Sequence, residues 1–138
     1  MNKEIYDISN PLVKAFLKVN RFVNYCTGGD KYGTVSARSG YHQVRHNDGR
    51  NHSMYWFVLA CIIDIAFRYV DGKDHCLRAY RTERLHNIDF ANTSGLGRIV
   101  LSLIAIAFCF VLAVFSYLYV FFIRPVYRSI KFVVAGSR

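Results

Sequence analysis

Three segments of this chain repeat apolar residues at the spacing of a buried or half-buried helix, and polar stretches separate them. The first runs from Pro11 to about Tyr25, with Asn10 as the expected N-cap and proline at the first helical position. The second is the apolar run 55–70, and the third is the uncharged run 99–123. The pattern predicts a mainly α protein with an amphipathic N-terminal helix and two strongly apolar helices.

The third run predicts a transmembrane helix, placed at 98–124 because Arg98 and Arg124 bracket it. Its 25 uncharged residues would form a helix roughly 37 Å long, whereas the hydrocarbon core of a bilayer is about 30 Å thick. Tyr117 and Tyr119 lie toward the Arg124 end, where aromatic side chains favour the membrane interface. We therefore expect an integral membrane protein anchored by this helix.

The second run is open to two interpretations, a buried or in-plane helix and a second membrane span. It has 16 residues and contains Asp64 and Arg68, which are four apart and are predicted to form an intramembrane or interfacial ion pair. A span needs about 20 apolar residues, and an acid near its centre costs about 2.5 to 3.5 kcal/mol. The short length favours the buried or in-plane helix.

The first helix would have an apolar face opposite a basic stripe. Such a helix can lie in the headgroup plane of a bilayer, although an ordinary domain helix with one solvated face explains the same pattern. The cations expected at the membrane surface, on this helix and beyond the span, are Lys14, Lys18, Arg21, Arg124, Arg128 and Lys131. Their predicted partner is a bilayer with anionic headgroups.

The chain divides into three parts on this interpretation. Residues 1–97 form a small, basic, mostly helical membrane-proximal region, residues 98–124 the transmembrane helix, and residues 125–138 a basic tail. Within the first part, the glycines of 26–53 predict a loop with at most a short hairpin. Asp74 is the expected N-cap of a short helix that ends near Leu85.

Small residues recur at steps of three and four along the predicted span, and such stripes allow helices to approach closely. The stripe predicts a packing face, either for self-association or for the helix at 55–70. Its members are Ser102, Ala105, Cys109, Ala113 and Ser116.

The net charge of +9 suits either nucleic acid or an anionic membrane surface, and the 53% hydrophobic content favours the membrane. No nucleic-acid-binding motif accompanies the cations, so a nucleic-acid partner is not expected. Residues 1–10 lack an apolar run with a cleavage site, so no signal peptide is expected. The distribution of Lys and Arg places the N-terminus in the cytoplasm with either one or two spans.

Weak candidates for metal ligands are His42, His46, Asp74, His75 and Cys76. They lack the two tight ligand pairs of a zinc site, and 26–53 does not predict the helix that would align the first two histidines. No metal and no cofactor is therefore predicted. His75 or Cys76 could act as a base or a nucleophile, but the sequence shows no partner for either, and we expect no enzyme.

A set of positions resembles small membrane proteins of tailed bacteriophages. They are the segment 35–41 (VSARSGY), Trp56, Ile63 with Asp64, and Asp71, Gly72, Asp74, His75 and Cys76. The resemblance covers roughly residues 34–84 and the C-terminal apolar segment, and it transfers no site residue.

This resemblance implies a bacterial inner membrane and an action on the host envelope, such as exclusion of a second phage. We therefore expect a non-enzymatic protein that acts through a membrane-protein partner or as a homo-oligomer. One alternative is a holin-like or channel-like oligomer, and a second is a membrane-tethered metal-binding enzyme.

Overall fold

The computed structural model describes residues 10–49, 53–91 and 93–136, and every regular element in them is helical. The predicted mainly α class is confirmed. The prediction that no signal peptide is present concerns residues 1–10, and of these only Asn10 is among the described residues. In chain order the elements are α1 (Pro11–Cys26), α2 (Val35–Asn47), α3 (Met54–Phe67), α4 (His75–Glu83), a 3-10 turn (Arg84–His86), α5 (Gly95–Leu118), a π-helical turn (Tyr119–Ile123) and α6 (Arg124–Gly136).

The N-terminal helix begins as predicted. The side chain of Asn10 accepts a hydrogen bond from the backbone N–H of Leu12 at 2.9 Å, and Pro11 occupies the first helical turn, where its missing N–H costs nothing. The helix ends at Cys26, one residue beyond the predicted boundary.

The hydrophobic core is centred on α3. Six residues of this helix are buried, and residues of α2, α4 and α5 complete the cluster. Its members are Val35, Trp56, Leu59, Ala60, Ile63, Ala66, Phe67, Cys76, Leu101 and Cys109. The apolar run at 55–70 therefore supplies the central helix of a small helical unit, α1–α4, although Val58, Ile65 and residues 68–70 are exposed.

The prediction that residues 26–53 form a loop is wrong, because α2 occupies Val35–Asn47. The Oγ1 of Thr34 caps this helix by accepting from the N–H of Ala37 at 3.2 Å. The buried face of α2 consists largely of small and polar residues, so it lacks the apolar period that announces a helix. A turn follows the end of this helix, with Gly49 at a φ of +69°.

Helices α2 and α4 pack very closely at Gly40. A Cβ atom at this position would overlap the backbone carbonyl of Cys76, so only glycine fits. Helix α4 begins after Asp74 as predicted, but Asp74 has a φ of 58° and its side chain makes no capping hydrogen bond. Asp74 is therefore the N-cap residue, as predicted, but its side chain does not cap the helix.

Helices α3 and α5 run side by side in the same direction. Near their beginnings, the hydroxyl of Tyr55 donates to the backbone carbonyl of Arg98 at 3.2 Å. Just after α3, the ring of Tyr69 packs edge-on against Tyr117, with 4.7 Å between centroids. Two successive membrane spans joined by a loop run in opposite directions, so this is not the geometry of a two-span hairpin.

The C-terminal helix extends beyond both predicted boundaries of the span. It starts at Gly95, where the Oγ of Ser94 accepts from the N–H of Gly97 at 3.1 Å. It continues without a break through the π-helical turn into α6, so the predicted basic tail is helical as far as Gly136. The apolar segment is the middle of one continuous rod.

Candidate membrane surface and polar sites

The outer surface of α5 is an extended apolar surface. The helical segment Gly95–Phe132 is long and apolar enough to cross a membrane, and only 11% of its most apolar 18-residue window is buried. A core helix of a water-soluble protein would be mostly buried. Exposed large side chains include Ile99, Leu103, Phe110, Phe115, Leu118, Phe121 and Phe122.

The small-residue stripe of α5 faces the helical unit. Cys109 is buried in the core cluster, and Ala105 and Ala113 pack against it. The hydroxyl of Ser102 donates to that of Tyr55 at 3.4 Å, whereas Ser116 bonds back to the carbonyl of Leu112 within its own helix at 2.6 Å. The stripe packs against α3, which is one of the two uses predicted for it.

Helix α1 has three faces. Phe16 and Val23 pack inward on the core cluster, and the ring of Phe16 stacks on Phe108 of α5 at 4.8 Å. A second face exposes Leu12, Val19 and Phe22. The predicted basic stripe has Lys14 and Lys18 exposed, while Arg21 is half-buried. Helix α1 thus carries an exposed apolar face next to two exposed lysines.

The cations predicted beyond the span lie on α6. Arg124, Arg128 and Lys131 are all exposed, and they follow the apolar segment directly. They therefore form an exposed basic stretch at the C-terminal end of the apolar segment.

The predicted ion pair between Asp64 and Arg68 is not formed. The carboxylate of Asp64 instead accepts a hydrogen bond from the backbone N–H of Cys76 at 2.8 Å, at the start of α4. Ion pairs join Asp71 to His75 and to Arg78. Asp64 supplies the cap that Asp74 lacks, because the first N–H groups of α4 need acceptors.

A buried polar cluster holds α2 between α1, α4 and the segment before α5. The Nε of Arg38 donates to the carbonyl of Ala91 at 2.6 Å, its Nη1 donates to the carbonyl of Thr27 at 3.3 Å, and its guanidinium lies over the ring of Trp56. Glu83 accepts from both the N–H and the hydroxyl of Thr34, at 2.9 and 2.8 Å. Both charged side chains are fully buried, which requires such partners.

The five candidate metal ligands do not meet. His42 is buried and stacks on Trp56, and His46 packs against the ring of Phe57. Across 10–49, 53–91 and 93–136, no group of three or more His, Cys, Asp or Glu side chains is arranged to hold a metal ion. The two histidines do share a helical face, contrary to the expectation that no helix aligns them, but aromatic rings occupy that face.

Cys76 is not positioned as a nucleophile. It is fully buried, and its Sγ contacts the carbonyl of Ala60 at 3.7 Å. Burial, together with the nearby carboxylate of Asp64, raises the pKa of Cys76 well above its ordinary value. The reactive thiolate is therefore disfavoured.

His75 connects two residues that sequence reasoning left out. Its Nδ1 lies 2.5 Å from the Oδ2 of Asp71, and its Nε2 lies 3.2 Å from the Oγ of Ser36. Ser36 comes from the first turn of α2, while Asp71 precedes α4. The contact between α2 and α4 thus assembles a Ser–His–Asp chain.

An open groove of about 660 Å³ lies beside this chain. Ser36, Asp71 and His75 form part of its wall. Its apolar lining comes mainly from α1, α5 and the end of α3, and includes Leu12, Phe16, Phe67, Val70, Phe108 and Leu112. The groove combines an apolar trough with one polar wall.

The missed residues gave unequal signals in the sequence. Asp71 and His75 are four apart, which is the spacing of a helical pair, but Asp71 precedes the helix that carries His75. Ser36 is 39 residues from His75 and belongs to a helix that the glycines concealed. Only the packing of α2 on α4 reveals the three together.

Comparison with models of known protein families, with curated proteins and with solved structures finds no match to this chain.

Proposed function

We propose that this chain is an integral protein of the bacterial inner membrane, anchored by α5, with a helical unit (α1–α4) on the cytoplasmic side that contacts a partner in the envelope. The observation that carries the proposal is the exposure of the most apolar window of the C-terminal helix. An apolar surface of this extent needs lipid or another protein as its surroundings.

The helical unit lies along most of the length of α5. It covers one side of that helix from Leu101 to Tyr117, so it lies at the same membrane depth as this part of the helix. Exposed apolar side chains on the unit itself, at Leu12 and Phe22 of α1 and at Ile65 of α3, support this immersion. Lys14 and Lys18 reach headgroups by extending their long side chains.

The orientation is tested by labelling intact cells with an impermeant maleimide. Three single-cysteine variants suffice: one retains only the native, exposed Cys26, and the others carry Lys73→Cys or Ser129→Cys as their only cysteine. We expect labelling at position 129 alone, because the positive-inside rule keeps the longer, basic N-terminal part in the cytoplasm. Permeabilised cells provide the control, since all three positions should then react.

The two other arrangements give different labelling patterns. A holin-like two-span hairpin predicts labelling at position 73 and protection at 26 and 129. Peripheral binding without a span predicts protection at all three positions and release of the protein by alkaline carbonate. Either result would contradict the single-span proposal.

The envelope setting is a separate part of the proposal, and the resemblance to small phage membrane proteins supports it. Expression of the full chain in a bacterial host should lower the plating efficiency of a challenging phage without causing leakage of a membrane-impermeant dye. Leakage would favour the holin-like alternative instead, and normal plating would remove the exclusion hypothesis.

A further inference from the structure

The Ser–His–Asp chain lies in the wall of an apolar groove, where a serine hydroxyl could meet an acyl group. We propose that Ser36 is a catalytic nucleophile, that His75 is its general base and Asp71 the positioning residue, and that the protein hydrolyses esters of long acyl chains. This inference goes beyond the membrane anchorage proposed above and replaces the expectation that the protein is not an enzyme.

The distances are those of an activated nucleophile. The Oγ of Ser36 lies 3.2 Å from the Nε2 of His75, and the Nδ1 of His75 lies 2.5 Å from the Oδ2 of Asp71. A proton held on Nδ1 by Asp71 leaves the lone pair of Nε2 facing the hydroxyl of Ser36. The ring of Phe67 stacks on His75 at 4.0 Å and 8°, which fixes the plane of the imidazole.

Asp71 is charged at neutral pH. Partial burial by itself raises the pKa of Asp71, but hydrogen bonds and positive charge from His75 and Arg78 outweigh it and lower the pKa below the ordinary 3.8. The Nη2 of Arg78 lies 2.9 Å from the same carboxylate oxygen. The carboxylate can therefore stabilise the imidazolium that forms when His75 takes a proton.

Donors for a developing oxyanion adjoin Ser36. Its backbone N–H is in the first turn of α2, where no intrahelical acceptor exists and the positive end of the helix dipole lies. Asn20 accepts from the N–H of Val35, the residue before Ser36, at 2.9 Å through its Oδ1, and it lines the same groove as Ser36. The N–H of Ser36 and the Nδ2 of Asn20 are the two candidate donors.

The reaction follows the chemistry of acyl transfer. The Oγ of Ser36 attacks the ester carbonyl and gives its proton to the Nε2 of His75, and the tetrahedral intermediate then expels the alcohol, which takes that proton. Water attacks the acyl-serine, gives a proton to His75, and releases the carboxylic acid as Ser36 regains its proton. One ester and one water become one acid and one alcohol.

The groove sets the substrate class. Its volume of about 660 Å³ is within the usual range for small-molecule sites, and most of its lining is apolar. Phe108 and Leu112 belong to the anchoring helix α5, so an acyl chain in the groove would lie against it. Burial of successive methylenes favours a long chain over acetate.

The first test uses a fluorophosphonate probe, which phosphonylates activated serines, on the full-length protein in detergent. We expect labelling at Ser36, complete loss in Ser36→Ala and retention in Ser39→Ala. Ser39 is the matched control because it is also buried on α2, and its hydroxyl has no hydrogen-bond partner among the described residues. Thermal unfolding shows whether each variant is folded.

Two results would overturn the nucleophile. One is a folded wild-type protein that the probe does not label, and the other is equal labelling of wild type and Ser36→Ala.

The second test compares hydrolysis of p-nitrophenyl octanoate and p-nitrophenyl acetate. We expect kcat/KM to be at least roughly tenfold higher for the octanoate, since the groove buries its chain. Asp71→Asn should lower kcat by roughly a hundredfold or more with KM unchanged, because a wrongly oriented imidazole affects the transition state and not substrate binding. A preference for acetate would refute the acyl-chain site, and an unchanged kcat would refute the role of Asp71.

Discussion

Helices α2 and α5 reverse the relation between polarity and burial that water-soluble proteins show. The sequence of α2 is mostly polar, yet residues 35–40 and His42 are buried. The sequence of α5 is almost entirely apolar, yet only Leu101 and Cys109 are buried among its 24 residues. A mostly polar helix is thus inside, and a strongly apolar helix is outside.

The two helices differ because they meet different surroundings. Helix α2 can be buried because its charged side chain and its N-cap residue have partners, with Arg38 bound to the carbonyl of Ala91 and Thr34 to Glu83. Helix α5 can be exposed only if its surroundings are not water. The contrast therefore supports the membrane placement more strongly than the apolar composition of α5 alone.

The largest expected effect on stability comes from removing Arg38, the buried cation of α2. Arg38→Ala removes a fully buried side chain that bonds the carbonyls of Ala91 and Thr27 and lies over Trp56, so it should lower the free energy of unfolding by roughly 4 kcal/mol. Arg45→Ala is the matched control, since Arg45 is exposed on the same helix and should cost roughly 0.5 kcal/mol. Urea unfolding in detergent measures both, and equal small losses would show that the cluster does not stabilise α2.

A pair of leucines on α5 sharpens the comparison. Leu101 is 0% exposed and Leu103 is 68% exposed, although they are two residues apart on the same helix. Leu101→Ala should cost roughly 3 kcal/mol, because it leaves a cavity against α3, and Leu103→Ala should cost less than roughly 1 kcal/mol in detergent. Thermal unfolding of the two variants measures the difference. A reversed order would mean that the helical unit packs on another face of α5.

The sequence predicts the helices whose faces are apolar. The start of α1 follows from Asn10 and Pro11, and the long apolar helix α5 follows from its uncharged length. Helix α2 escapes prediction because pairing of polar groups across 49 residues, as between Thr34 and Glu83, leaves no local pattern. Hydrophobic periodicity reveals a helix that buries apolar side chains. It does not reveal a helix whose buried face is polar and hydrogen-bonded.

The candidate sites follow the same division. The small-residue stripe around Cys109 is visible in the sequence because one helix carries all of it. The cluster of Ser36, Asp71 and His75 is not visible, since its members come from α2, the turn before α4, and α4 itself. Likewise, the spacing of Asp64 and Arg68 predicts an ion pair, but the carboxylate of Asp64 instead accepts a hydrogen bond from the backbone N–H of Cys76.

The smallest expected effect is a dependence of the protein's stability on pH, caused by the buried His42 of α2. Burial lowers the pKa of His42 from 6.5 to about 4; the charges of Arg38, Arg45 and Arg98 add to this, against a bond to the Ala91 backbone. The unfolded chain therefore binds more protons below pH 6.5, and stability falls as the pH drops from 6.5 toward 4. Between pH 6.5 and about 4.5 the loss should be roughly 2 kcal/mol, measured by urea unfolding. His42→Gln should remove most of this slope, and an unchanged slope would show that other groups cause it.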